Sequence, residues 1–195
     1  MKLFSYWRSS CSYRVRIVLH YKDLPFEYIP ISLLKNEHEH YENPEKLVPF
    51  FIGEIELSQS CAIMEYLNEQ FVLNLLPKDI KQRAKCRQIM QIISCDIQPL
   101  QNMKILKEQE NKAEYARKVI FDGLLKVERL IELPFCLLEF SLADCCLIPQ
   151  VYNAKRFNVD FSLLLKVEKV NENCLKLDCV KKAHPNKQPD APEAS

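Results

Sequence analysis

Hydrophobic periodicity changes character once along this chain, near residue 72, and that change limits the folds open to it. Before it, short apolar segments alternate with helical patterns. Lys2–Ser5, Pro25–Ile31, Phe50–Ile52 and Ile55–Leu57 read as strands, with helices behind Ser9–Ser12 and over Gln59–Phe71. Val15, Val18 and Leu19 give the first helix its apolar face. Such alternation over a short length fits a small α/β layer. Val72–Asp79 reads as a linker that ends at a helix cap, Asp79. Everything after it is helical in pattern. Ile89, Ile92, Ile93, Ile97 and Leu100 form one apolar stripe, Val119, Gly123, Val127, Leu130 and Ile131 a second, and Val167, Val170, Cys174 and Leu177 a third. Ser141-Leu142-Ala143-Asp144 has the spacing of a capping box opening a helix through Val151. Pro99 and Pro149 fall inside helical runs, and each is expected to kink its helix. The last dozen residues, rich in Pro and Lys, are expected to form an extended surface tail. The expected division is therefore an α/β domain over 1–72 and an all-α domain over 79–195.

Composition removes several classes of function. A net charge of +1 supplies no attraction to nucleic acid or to an acidic membrane surface. No apolar run approaches the ~20 residues of a membrane span. Arg8, Arg14 and Arg16 interrupt the region where a signal peptide would be apolar. The nine cysteines are odd in number and contain no CxxC, so neither a metal site nor a disulfide framework is indicated. They read as small core residues of a reduced, cytoplasmic protein. With only Gly53 and Gly123, the chain has no glycine-rich phosphate loop.

Three short segments carry chemistry. In Arg8-Ser9-Ser10-Cys11-Ser12-Tyr13-Arg14-Val15-Arg16, three hydroxyls and a thiol stand where a helix begins. Unpaired N–H groups and the helix dipole favour an anion there, and a thiolate is one. Plain N-capping by Ser9 or Ser10 accounts for the serines equally well. Asn43-Pro44-Glu45-Lys46-Leu47-Val48-Pro49 precedes a strand. A proline at a strand entrance is often an edge device, but a cis Val48–Pro49 bond would leave the Val48 N–H and C=O free for an extended peptide. Ser58-Gln59-Ser60-Cys61-Ala62-Ile63 opens a second helix, where Ser60 either caps or takes a carboxylate. A thiolate site, a free backbone edge and a carboxylate site together outline a γ-glutamyl-cysteinyl peptide, which is glutathione.

The chain resembles the zeta-class glutathione transferases, the family that includes the maleylacetoacetate isomerases, over nearly its whole length. The first half carries the resemblance in Ser9-Ser10-Cys11-Ser12-x-Arg14-Val15-Arg16-Ile17, Asn43-Pro44 with Val48-Pro49, and Gln59-Ser60-x-Ala62-Ile63-x-Glu65-Tyr66-Leu67. The second half carries it in Ile97-Gln98-Pro99-Leu100-Gln101-Asn102, Ala143-Asp144-x-Cys146-Leu147-x-Pro149-Gln150, Asn153-Ala154-x-Arg156-Phe157 and His184-Pro185-x-x-Gln188-Pro189-Asp190. The resemblance implies a thioredoxin-like N-terminal domain, an all-helical C-terminal domain and a homodimer. It also implies glutathione-dependent cis–trans isomerisation of maleylacetoacetate to fumarylacetoacetate in tyrosine and phenylalanine breakdown. In that chemistry a thiolate adds to the activated double bond, rotation follows, and expulsion of the thiolate leaves the trans product.

Roles at matching positions are likewise implied by the resemblance. Ser9 would donate to the glutathione sulfur, Ser10 and the following N–H groups of Cys11, Ser12, Tyr13 and Arg14 would complete that site, and Cys11 would face the substrate. Val48 would pair with the cysteinyl backbone, and Gln59 and Ser60 would take the γ-glutamyl carboxylate. Gln98 and Asn102 match glutathione-contacting positions, with Met103 and Lys104 beside them. Arg156 matches an arginine that holds a carboxylate of the enone substrate, a task suited to a guanidinium, and Arg8 is a weaker candidate for it. The chain departs from the family in connections. The segment between Ile31 and Asn43 and the loop before Pro134 are short, Cys136–Phe140 lacks a Gly-Asp pair, and Leu164-Leu165 replaces Tyr-Pro. A non-catalytic glutathione-binding scaffold dimer is the alternative these trimmed loops allow; a thiol–disulfide redox protein is disfavoured by the missing CxxC.

Overall fold

The computed structural model describes residues 1–37, 43 and 45–192. Two compact units emerge, one of Met1–Leu73 with Lys176–Ser195, the other of Asn74–Leu175. The first begins with β1 (Lys2–Ser5), α1 (Ser10–Tyr21) and β2 (Glu27–Pro30), followed by β3 (Phe50–Ile52), β4 (Glu56–Ser58) and α2 (Ser60–Gln70). The strands form one sheet in the order β2-β1-β3-β4. β1 pairs parallel with β2, while β1–β3 and β3–β4 are antiparallel. α1 buries every residue from Ser12 to Leu19, including the guanidinium groups of Arg14 and Arg16.

The regular elements of the second unit are all helices. Asp79 caps α3 (Ile80–Gln91), its carboxylate accepting from the N–H groups of Lys81 at 3.0 Å and Gln82 at 2.9 Å. α3 runs into a π-helical turn, Ile92–Ile97, and the helix has ended before Pro99. Pro99 therefore kinks nothing; with no N–H to give, it sits where the ladder has already stopped. Ile89, Ile93 and Ile97 are buried from the first stripe, whereas Leu100 is 39% exposed. α4 (Met103–Leu106) and α5 (Lys112–Glu128) follow. Gly123 lets α5 approach the π turn: a Cβ there would lie 2.3 Å from Cγ1 of Ile97. Pro149 lies within α6 (Leu142–Arg156), as expected from its place in the helical pattern. The buried Asp144 carboxylate accepts from Ser141 N–H and Oγ, each at 2.9 Å, and from Cys136 N–H at 2.7 Å. Burial pushes its carboxyl up, and the bonds from Cys136 and Ser141 oppose that shift. Val167, Val170 and Cys174 of α7 (Leu165–Cys174) are buried, as their spacing requires.

The chain then returns to the first unit, and here the sequence reading of 79–195 as one domain with a surface tail does not describe the structure. α8 (Asp178–Ala183) packs on α1. The Arg16 guanidinium donates to Ala183 O at 3.1 Å, Ser5 Oγ at 3.0 Å, Tyr6 O at 3.3 Å and Trp7 O at 2.9 Å. A buried charge of this kind is tolerated only with its donors satisfied, and Ala183 supplies a carbonyl that nothing local offers. Beyond a 3-10 turn at Pro185–Lys187, Gln188 is buried and Asp190 accepts from Trp7 N–H at 2.9 Å and Tyr28 OH at 2.6 Å. Burial first, then the bond to Asp190, pushes the Tyr28 phenol far up, so it remains the donor.

Candidate functional site

Sheet register collects the first unit's candidates at one end. Phe4 of β1 pairs with Phe50 of β3, and Phe50 with Ser58 of β4. The exit of β1 toward Ser9, the approach to β3 at Val48 and the exit of β4 toward Ser60 therefore share that end, where α1 and α2 begin. Two helix starts facing one region favour an anionic ligand.

Ser9 is the N-cap of α1, with extended backbone angles, and its Oγ accepts from Ser12 N–H at 3.2 Å. The capping role is thus real. It uses a lone pair of the oxygen and leaves the hydroxyl proton available to an acceptor such as a thiolate. Ser10 and Cys11 are half-exposed beside it. Ser12, Tyr13 and Arg14 are not surface side chains: all three are buried, so they can meet a ligand only through backbone groups or through what they support. Arg14 shows what it supports. Its Nη1 donates to the buried Ser60 Oγ at 3.1 Å, placing a guanidinium beneath the start of α2.

The approach to β3 is built by Asn43, a buried residue whose Oδ1 accepts from Glu45 N–H at 3.0 Å and whose Nδ2 donates to Leu47 O at 2.8 Å. The Val48–Pro49 bond is cis. Among the described residues, neither the N–H nor the C=O of Val48 has a partner. Pro44 and the middle of the shortened 31–43 connection, residues 38–42, lie outside the described residues. Gln59 has φ 67° and ψ 108° and does not cap α2 with its side chain; its Nε2 donates to Glu45 instead, at 2.7 Å. The amide N–H expected for a carboxylate is therefore already directed to a protein group.

The remaining candidates belong to the second unit. Gln98 follows the π turn, Asn102 is the N-cap of α4, and Met103 and Lys104 are exposed in its first turn. Arg156, at the end of α6, is exposed and donates from Nη1 to Asn153 Oδ1 at 3.0 Å. Arg8, the weaker candidate, lies in the first unit over the Trp7 ring, 5.5 Å from its centroid. Gln101 and Gln150, present in the motifs but given no role, exchange reciprocal hydrogen bonds inside the second unit, Gln101 Nε2 donating to Gln150 Oε1 at 2.8 Å and Gln150 Nε2 to Gln101 Oε1 at 3.1 Å. The segment lacking a Gly-Asp pair contributes Leu137, Leu138 and Phe140 to a cavity of about 490 Å³, opposite Leu75, Leu76 and Pro77. Asn43, Glu45 and the supporting role of Arg14 were missed. A buried arginine one turn behind a serine-rich helix start was the available signal for the last of these.

A hydroxyl at one helix start, a backbone residue without a partner among the described residues and a charge-backed second helix start fit a short peptide bearing a thiol and a carboxylate. The family model for the glutathione S-transferase N-terminal domain matches residues 1–69, which makes the first unit that of a glutathione transferase. Maleylacetoacetate isomerase of Mus musculus is 43% identical over 204 residues, with 97% of this chain and 94% of that protein covered. A holo structure of maleyl pyruvate isomerase, a bacterial zeta-class glutathione S-transferase, matches with a TM-score of 0.93 at 34% identity, covering 98% of this chain and 100% of that one. Maleylacetoacetate isomerase of Anaeromyxobacter dehalogenans 2CP-1, solved with glutathione in its active site, matches with a TM-score of 0.90 at 37% identity, covering 98% and 97%. The chain belongs to the zeta-class glutathione transferase family, on its maleylacetoacetate isomerase branch.

Proposed function

We propose that this protein is a glutathione-dependent cis–trans isomerase that converts maleylacetoacetate to fumarylacetoacetate, with the transferase activity of its class. The observation that carries the reading is the Arg14–Ser60 bond beneath the start of α2, at the sheet end that also holds Ser9 and Val48. Glutathione when bound would supply the thiolate that adds reversibly to the substrate's conjugated double bond. Ser9 holds that sulfur in its anionic form by donating its hydroxyl proton, and the first N–H groups of α1 add to the effect. Ser10 completes the cradle and Cys11 lines it. Val48 orients the peptide through its backbone, while Ser60 and the α2 N–H groups take the γ-glutamyl carboxylate, with Arg14 fixing the hydroxyl and adding positive charge. For Gln98, Asn102, Met103, Lys104 and Arg156, all in the second unit, the glutathione and carboxylate roles rest on the resemblance of their motifs alone. Kinship with the isomerases further supports a cytoplasmic homodimer acting in tyrosine and phenylalanine breakdown.

The test is incubation with maleylacetone, with and without glutathione, while total thiol is followed. Isomerisation that requires glutathione and leaves thiol constant is the expected result. Activity without glutathione, or steady thiol consumption, overturns the mechanism. A protein that binds glutathione but turns nothing over is a scaffold.

A further inference from the structure

Outside the residues assigned above, a charged group is bonded to the two residues that lead into the proposed carboxylate site at Ser60. Glu45 is exposed, yet its position is determined at both ends. Its backbone is fixed by Asn43, which accepts from Glu45 N–H through Oδ1 and from Lys46 N–H through its carbonyl at 3.0 Å. Its side chain is fixed by the last residue of β4 and the residue after it: Oε1 accepts from Ser58 Oγ and Oε2 from Gln59 Nε2 at 2.7 Å. Ser58 and Gln59 are the two residues that lead into Ser60, which Arg14 backs from beneath. Gln59 makes this junction in a left-handed conformation, φ 67°, which a non-glycine residue seldom adopts and which recurs at ligand sites.

A fixed anion thus flanks a donor-rich, cation-backed helix start. That pairing suits a ligand that carries a carboxylate and an ammonium on the same carbon. Each Glu45 oxygen has accepted one bond and has a further lone-pair site free. We propose that Glu45 completes the γ-glutamyl subsite by accepting the α-ammonium group of the bound peptide, an assignment that rests on the glutathione reading above. Gln59 then serves to hold Glu45 rather than to meet the γ-glutamyl carboxylate through its amide N–H. The protein selects for a free α-amino group at this position, and N-blocked peptides are poor ligands.

Calorimetric titration with two peptides tests this: glutathione, and the des-amino analogue glutaryl-cysteinyl-glycine. In wild-type protein, loss of the ammonium weakens binding by roughly three- to tenfold, the range of a solvent-accessible charge-assisted bond. Glu45→Gln weakens glutathione by a similar factor and leaves the analogue unchanged. Equal losses for both peptides would make Glu45 a support for Gln59 alone and overturn the proposal, as would unaltered glutathione affinity or equal wild-type affinity for both peptides. Wild-type protein that binds neither peptide overturns the glutathione reading itself, and this assignment with it.

Discussion

Replacing Asp190 tests whether the returning C-terminal segment supports the proposed glutathione cradle. Its two carboxylate oxygens accept from Trp7 N–H at 2.9 Å and Tyr28 OH at 2.6 Å, binding the tail to the exit of β1 and to β2. Hydrogen bonds to a charged group contribute about 1.5–3 kcal/mol each. Asp190 is half-exposed, so water recovers part of that, and Asp190→Ala is expected to cost about 2–4 kcal/mol in total. For a chain of this size 1 kcal/mol moves the midpoint by about 2–4 °C, which puts the expected drop in Tm at roughly 5–15 °C. Asp190→Asn keeps one acceptor and should lose about half as much. The effect should extend to chemistry, because Trp7 lies two residues before Ser9, whose own N–H closes a turn onto Tyr6 O at 3.0 Å. A looser turn misplaces the Ser9 hydroxyl and raises the apparent pKa of the bound thiol. Scanning calorimetry gives the first quantity and ultraviolet titration of bound glutathione the second. An alanine variant with an unchanged midpoint refutes the stability argument; a lower midpoint with an unchanged thiolate titration refutes the link to the cradle.

Three further outcomes are expected. Ser9→Ala removes both a cap worth about 1 kcal/mol and the proposed donor to sulfur, whereas Ser9→Asn restores only the cap; ultraviolet titration should show the bound-thiol pKa raised in both variants, with stability recovered only in the second. Arg156→Ala should lower kcat/KM for a carboxylate-bearing enone by roughly ten- to a hundredfold and leave a neutral chloro-aromatic substrate little changed, since charge-assisted bonds are lost in one case alone; equal losses in steady-state assays would assign Arg156 to structure. Gly123→Ala drives a methyl group against Ile97 of the π turn, 2.3 Å from Cγ1, and should destabilise the second unit by about 1–3 kcal/mol in urea unfolding.

The resemblance conveyed the fold class and the family; what residue spacing alone conveyed was local. The β1 strand, the Ser9 cap, the Asp79 cap and the Ser141–Asp144 box depend on residues a few positions apart, and all appear in the structure. Boundaries moved where pairing decides them: the second strand contracts to Glu27–Pro30 against β1, and the fourth shifts to Glu56–Ser58 to match β3. The π turn at Ile92–Ile97, whose last residue packs close against Gly123, is announced by no helical period. The path of residues 176–195 was hidden for a similar reason. Pro and Lys suggested a solvated tail, but Arg16 and Trp7, separated from it by most of the chain, determine its course. At the site, residue types that chemistry needs were visible. Arg14 and Glu45 were harder, because their partners, Ser60 for the one and Ser58 with Gln59 for the other, come near only in the folded unit; Asn43 acts on Glu45, Lys46 and Leu47 close by, in a segment with no regular pattern to mark it.

That buried Arg16 also orders events during synthesis. The first unit is discontinuous, made of Met1–Leu73 and Lys176–Ser195, while the second is one uninterrupted run. Chains grow from the N-terminus at about 5–20 residues per second, so the roughly 100 residues between the two pieces take about 5–20 s to make. Through that interval the emerged α1 carries a guanidinium whose acceptor at Ala183 has not yet been translated. The helical unit can close first, and the N-terminal unit, though earliest off the ribosome, is the last to be finished.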